Sequence, residues 1–210
     1  MKLAFVYAGQ GSQKVGMGRD FYDRYPEYRA VLDNAGLDFD LKALSFEGPI
    51  EELSQTRYTQ PCMAAFAVGV TDLLYARGIR PCAAAGLSLG EYSALYAAGV
   101  LDRETVLKTL AFRGRAMEQA AQGLECGMTA VLSLERDKLQ MACDQASELG
   151  VVQICNYNCP GQLVISGEKA AVDRAGELAK ELGAKRCMPL RVSGPFHTRL
   201  MKPAGDALAD

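Results

Sequence analysis

The sequence predicts an α/β fold: a core of strand–turn–helix units that carries a smaller β-α-β-β-α-β subdomain of ferredoxin-like type. Three observations lead there. Two short apolar stretches, Leu3 to Ala8 and Pro81 to Ala85, each run into a glycine-rich turn and then into helical sequence. The stretch from Gln60 to Tyr75 is helical and apolar on most sides, which marks a central, buried helix. From Met128 to Val192 the rhythm changes to short strands alternating with two helices.

Taken in order, Leu3 to Ala8 reads as a first core strand and Gly9-Gln10-Gly11-Ser12-Gln13 as the polar turn after it. Asp20 to Leu32 places aromatic and charged residues at helical spacing, so one helix is expected there. Ile50 to Leu53 is a short element. In the helix from Gln60 to Tyr75, Pro61 suits the first turn, where its missing N–H is not needed, and Gly78 ends the helix. Pro81 to Ala85 is the second strand, Gly86 to Gly90 the turn, and Glu91 to Ala98 a helix of small and aromatic residues. Asp102 is expected to cap a further helix, on which Val106, Leu110, Phe112 and Met117 share a face up to the break at Gly123.

The subdomain follows as a strand over Thr129 to Leu132, a helix over Glu135 to Leu149, and strands Val151 to Asn156 and Gln162 to Ser166 joined through Pro160-Gly161. A helix over Glu168 to Leu182 and a strand over Arg186 to Val192 complete it. The chain then reaches Ser193-Gly194-Pro195-Phe196-His197 and starts a helix near Leu200 that runs to Asp210 without a glycine or asparagine stop signal. A cut inside or just after a helix is expected from that pattern.

Composition narrows the functional classes. Of 210 residues, 49% are hydrophobic, enough for a sizeable core and a smaller satellite domain. Lys plus Arg (23) and Asp plus Glu (25) nearly balance, so no global field draws nucleic acid or an anionic membrane, and neither is expected as a partner. No stretch reaches the roughly 18 apolar residues of a membrane span, and the N-terminus has no cleavage signal, so a cytoplasmic protein is expected. The 7 cysteines are odd in number and scattered, which favours reduced, mostly buried thiols over a disulfide framework. His197 is the sole histidine and lacks cysteine pairs at metal spacing, so neither a metal nor a cofactor is expected.

The chemistry concentrates in Gly86-Leu87-Ser88-Leu89-Gly90, the pattern of a nucleophile elbow. There a serine sits on a sharp turn between strand and helix, and glycines two positions away avoid side-chain clashes. The competing reading is an ordinary glycine-rich loop. On an elbow, the Leu89 amide at the new helix N-terminus can stabilise an oxyanion. A serine hydroxyl needs a base within about 2.6 to 3.2 Å, and His197, at another strand-to-helix junction, is the candidate. Asp72, Asp102 and Asp144 are poorly placed by pattern for a third, acidic member. Gly9 to Gln13 is too short for a dinucleotide fingerprint and lacks a P-loop lysine, but it can supply a second oxyanion amide. Arg113 and Arg115 lie in an otherwise apolar helix. Either both are on the surface, or one is buried and needs a carboxylate, on the protein or on a ligand.

Five blocks in order carry a more specific likeness: Phe5 to Gln13, Gly86 to Glu91, Arg113-Gly114-Arg115-Ala116-Met117, Asn156-Tyr157-Asn158-Cys159-Pro160-Gly161-Gln162, and Gly194-Pro195-Phe196-His197. Through them the chain resembles the malonyl-CoA:acyl-carrier-protein transacylases and, more loosely, the acyltransferase domains of fatty acid and polyketide synthases. The resemblance implies a hydrolase-like parallel-sheet core with an inserted ferredoxin-like small domain. It also implies ping-pong malonyl transfer from malonyl-CoA to acyl carrier protein, with Ser88 as nucleophile and His197 as base. In that scheme the backbone amides of Gln10 and Leu89 form the oxyanion hole, Arg113 holds the malonyl carboxylate, and Phe196 limits branching beside the thioester.

The expected division is 1–126 as the first part of the larger domain, 127–192 as the small domain and 193–210 as a return to the larger one. Family members continue past the position of Asp210, so the C-terminal part of the core is expected to be absent from this chain, and a separate C-terminal chain is a conceivable partner. Two other functions stay open from the sequence: a serine thioesterase or esterase on the same elbow, and a non-catalytic carrier-protein-binding scaffold. Oligomeric state also stays open, with a monomer among the options.

Overall fold

A computed structural model describes residues 2–209, which divide into two compact units, 2–115 and 116–209. In the first unit β1 (Ala4–Tyr7) and β2 (Ala83–Gly86) pair in parallel, with Ala4 opposite Ala83 and Tyr7 opposite Gly86. Parallel pairing needs a long crossover, and the intervening chain forms α1 (Arg19–Arg24), α2 (Pro26–Asp33), α3 (Leu41–Glu47), α4 (Ile50–Leu53) and α5 (Thr56–Ala76). After β2 come α6 (Gly90–Ala97) and α7 (Arg103–Ala121), the latter continuing from the first unit into the second.

The core of the first unit gathers around α5. Ala64, Ala65 and Val68 are fully buried, beside Tyr28 and Val31 of α2 and Val106, Leu107 and Leu110 of α7. Phe5 stacks on Tyr75 of α5, and the Tyr7 hydroxyl shares a 2.8 Å hydrogen bond with the Thr71 hydroxyl. Ala4, Val6, Ala83 and Ala85, on the other face of the two strands, are exposed. Val6 is 80% exposed.

Two helix expectations are corrected. The single helix over Asp20 to Leu32 is two helices, because Tyr25 takes an extended conformation (φ −124°, ψ 114°) ahead of Pro26, as a residue preceding proline tends to. Pro61 is not in the first turn: α5 starts at Thr56, and the proline sits inside it. That position forgoes one i→i−4 hydrogen bond, and the dense packing of α5 offsets the loss.

In the second unit β3 (Cys126–Leu132), α8 (Arg136–Ala146), β4 (Val152–Cys159), β5 (Gln162–Glu168), α9 (Lys169–Glu181) and β6 (Arg186–Leu190) follow in the order β-α-β-β-α-β. The sheet runs β4-β5-β3-β6, with every neighbouring pair antiparallel. Period-two alternation sorts the strands between two cores. Val131, Leu163 and Ile165 pack with Leu139, Ala142, Val172 and Ala175 of α8 and α9. Met128, Ala130 and Val164 point the other way, into a cluster with Met117, Ala121, Phe196, Met201 and Ala204. A 3₁₀ turn at Arg199–Met201 leads into α10 (Lys202–Ala209).

The seven cysteines are all free. The expectation that most are buried holds only for Cys62 and Cys143, while Cys82 and Cys159 are exposed. Burial pushes the Cys62 and Cys143 thiols up to about 12, far from thiolate reactivity at neutral pH. No helix among the described residues is long and apolar enough to cross a membrane.

Candidate active site

The turn around Ser88 is shaped by close main-chain packing. A Cβ on Gly86 would lie 2.0 Å from the Gly90 carbonyl carbon, and one on Gly90 would lie 2.5 Å from the Tyr7 carbonyl oxygen. Only glycine fits either place. The chain is thereby forced to reverse within three residues, and Ser88 is driven to φ 54°, a left-handed conformation that costs a serine about 1 to 3 kcal/mol. The N–H of Leu87 donates to the Tyr7 carbonyl at 3.0 Å, tying the turn to the end of β1. The amides of Gly90, Glu91 and Tyr92 donate within the turn, whereas that of Leu89 meets no backbone acceptor among the described residues. Leu89 itself is a buried anchor, 2% exposed.

Gln10 follows β1 on the same edge of the parallel pair from which Ser88 follows β2, since parallel strands end together. The Gln10 amide Nε2 donates to the Thr56 hydroxyl at 3.1 Å, fixing that loop to the first turn of α5.

Arg113 lies beside Ser88. Its helix α7 starts at Arg103, just after Asp102, whose carboxylate accepts the Thr105 N–H at 2.7 Å, and it approaches the first turn of α5 closely at Gly114. A Cβ on Gly114 would sit 2.7 Å from the Thr56 carbonyl oxygen, so the glycine following Arg113 permits the contact. At that distance Arg113 Nη1 donates to Gln60 Oε1 (2.7 Å) and Nη2 to Ser88 Oγ (3.2 Å), with the Tyr92 ring 5.8 Å away. Burial pulls the guanidinium below its ordinary value, with Tyr92 and Glu91 opposing. Arg115, by contrast, is on the surface and pairs with Asp38 at 3.3 Å.

His197 and Phe196 belong to the second unit. His197 is exposed and also left-handed, at φ 60°. Phe196, 6% exposed, inserts into the cluster of Met117, Met128 and Val164. The Thr198 hydroxyl donates to the Pro195 carbonyl at 2.7 Å and accepts from the Leu200 N–H at 3.3 Å, while the Arg199 N–H donates to Gln153 Oε1 at 2.8 Å. Together these bonds hold the turn on which the imidazole stands. Asp72 is committed elsewhere: it pairs with Arg103 and accepts from the Tyr96 hydroxyl.

The residue that sequence reasoning missed is Gln60. It is 1% exposed inside an apolar helix, and a buried amide requires a partner. That requirement is a signal in the sequence, although the identity of the partner, far along the chain, is not.

The chain matches the family model described as acyl transferase domain over residues 4–210. A malonyl CoA-acyl carrier protein transacylase of Bacillus subtilis is 45% identical over 212 residues, covering 100% of this chain and 67% of that relative. The crystal structure of MCAT from Streptococcus pneumoniae superposes with a TM-score of 0.93 at 52% identity, covering 99% of this chain and 68% of the other. A malonyl-transacylase solved in complex with a type II PKS acyl-carrier protein gives a TM-score of 0.95 at 41% identity, covering 100% and 69%. The chain belongs to the acyl transferase domain family and, within it, to the malonyl CoA-acyl carrier protein transacylases.

Proposed function

We propose that this enzyme moves a malonyl group from malonyl-CoA to the phosphopantetheine thiol of acyl carrier protein through an ester on Ser88. His197 takes the hydroxyl proton as Ser88 Oγ attacks the thioester carbonyl. The oxyanion is received by the backbone amides of Gln10 and Leu89. Breaking the carbon–sulfur bond leaves malonyl-serine, and the imidazolium returns its proton to the departing CoA thiolate. In the second half the carrier thiol gives its proton to His197 and its sulfur attacks the ester. The collapsing intermediate then releases malonyl-carrier protein and restores the Ser88 hydroxyl.

The observation that carries this reading is the guanidinium of Arg113 bonded to Ser88 Oγ at 3.2 Å. The free carboxylate of a malonyl thioester is two bonds from the carbon that the serine attacks. A cation at hydrogen-bond distance from the nucleophile is therefore within reach of that carboxylate, and planar guanidinium matches its geometry. An acetyl group would leave the half-buried cation without a counter-charge. Phe196 serves to limit branching beside the thioester, a discrimination of about 1 to 3 kcal/mol per methyl group.

The larger reading of the chain goes with it. Residues 127–192 form a ferredoxin-like small domain inserted into a hydrolase-like core of which 1–126 and 193–210 are parts, a division supported by the strand order β4-β5-β3-β6. A cytoplasmic site of action agrees with seven cysteines that are all free.

Incubation with radiolabelled malonyl-CoA is expected to label wild-type enzyme on Ser88 and leave Ser88→Ala unlabelled. Carrier protein should discharge the label faster than water does. Hydrolysis indifferent to carrier protein would instead identify a thioesterase.

A further inference from the structure

Three arginines of α7 point to different fates for a positive charge. Arg103 is paired with Asp72 and Arg115 with Asp38. Arg113, half-buried, has no ion pair among the described residues. The shorter of its two hydrogen bonds goes to the neutral amide of Gln60, 2.7 Å away and 1% exposed, and Glu91 acts on it only through space. A buried arginine ordinarily has a carboxylate partner, and glutamate has nearly the same shape as glutamine.

We infer that Gln60 is a positioning residue whose neutrality sets substrate choice: it aims Arg113 at Ser88 while leaving the positive charge uncompensated for an acyl carboxylate. This inference rests on the role proposed for Arg113. The amide oxygen accepts one guanidinium N–H and fixes the plane of the fork, so that the opposite nitrogen faces the Ser88 hydroxyl. A carboxylate at position 60 would fix the same plane and also cancel the charge. The incoming malonyl carboxylate would then meet a neutral pair, with a like charge behind it.

Gln60→Glu keeps the volume and adds the charge. Its malonyl-CoA kcat/KM is expected to fall about 10- to 100-fold, mainly through KM. Acetyl-CoA kcat/KM should fall severalfold less than malonyl-CoA kcat/KM, so that the malonyl-to-acetyl ratio drops, because acetyl has no carboxylate to pair with the charge. A loss shared equally by both substrates would mark Gln60 as merely structural and overturn the inference. Gln60→Met removes the amide without adding charge. It is expected to raise the malonyl-CoA KM severalfold yet keep malonyl preferred over acetyl, and a wild-type KM would equally count against positioning.

Arg113→Ala separates the two levels. If it collapses the malonyl-to-acetyl ratio while Gln60→Glu leaves the ratio at the wild-type value, Arg113 keeps its role and the inference about Gln60 fails. If Arg113→Ala leaves the ratio unchanged, the reading of Arg113 itself fails.

Discussion

The serine turn and the histidine turn arrive at the same unusual backbone conformation by different means. Ser88 has φ 54° and His197 φ 60°, both in the left-handed region. Around Ser88 the conformation is imposed by main chain against main chain, where Gly86 and Gly90 leave no room for a side chain. Around His197 it is imposed by side chains: a buried phenyl ring on one side and a hydroxyl that bonds Pro195 and Leu200 on the other. Main chain cannot step aside, whereas side chains can be exchanged for others of similar shape. The first turn should therefore be intolerant of any change, and the second should be graded in its response.

The largest effect expected from this difference is at Gly86. Adding one methyl group would place a carbon 2.0 Å from the Gly90 carbonyl, and Gly90 cannot retreat because its own Cα faces the Tyr7 carbonyl. Gly86→Ala is expected to cost more than about 3 kcal/mol and to abolish acylation of Ser88, read by thermal unfolding and malonyl labelling. Phe196→Leu, a larger chemical change in the other turn, should retain a folded, partly active enzyme. Equal melting temperatures for Gly86→Ala and wild type would break the contrast.

The same contrast marks what the sequence made legible. The strand, turn and helix around Ser88 are written in adjacent residues, because glycine at two fixed positions reports a main-chain constraint directly. The Asp102 cap and the β-α-β-β-α-β order are likewise local, each read from turn residues and alternation. Features that depend on distant partners were not legible. The bond from Arg113 to Gln60 joins α7 to α5, and neither segment names the other. The break at Tyr25 and Pro26 was written locally but outvoted by helical spacing on both sides, and the interior place of Pro61 reflects packing strong enough to carry a missing hydrogen bond.

A middle-sized effect is expected at Thr198, where the histidine turn depends on one hydroxyl. Thr198→Val keeps the shape and removes both of its hydrogen bonds, at 2.7 and 3.3 Å, from a residue only 8% exposed. The loss should be about 1 to 2 kcal/mol, with slower acylation because the imidazole is less well held. Thr198→Ser restores the hydroxyl and should recover most of both. If the valine variant matched wild type in stability and rate, side chains would not be what sets this turn.

The smallest effect distinguishes the two regions by pH. Arg113 is carried by a helix capped by a carboxylate, Asp102, while the segment after His197 is capped by a hydroxyl that does not titrate. The backbone N–H of Thr105 holds the Asp102 carboxyl below its ordinary value of 3.8. A group whose folded value is depressed stabilises the fold in full above the unfolded value and loses that contribution as pH falls through the folded one. Acid should therefore loosen the start of α7 through Asp102 and leave the Thr198 cap unaffected. Asp102→Asn retains a capping oxygen without the titration, so its melting temperature should fall less than that of wild type between about pH 5 and pH 3. Parallel curves for the two proteins would mean that the cap is not felt in global stability, and that the two regions differ in their turns alone.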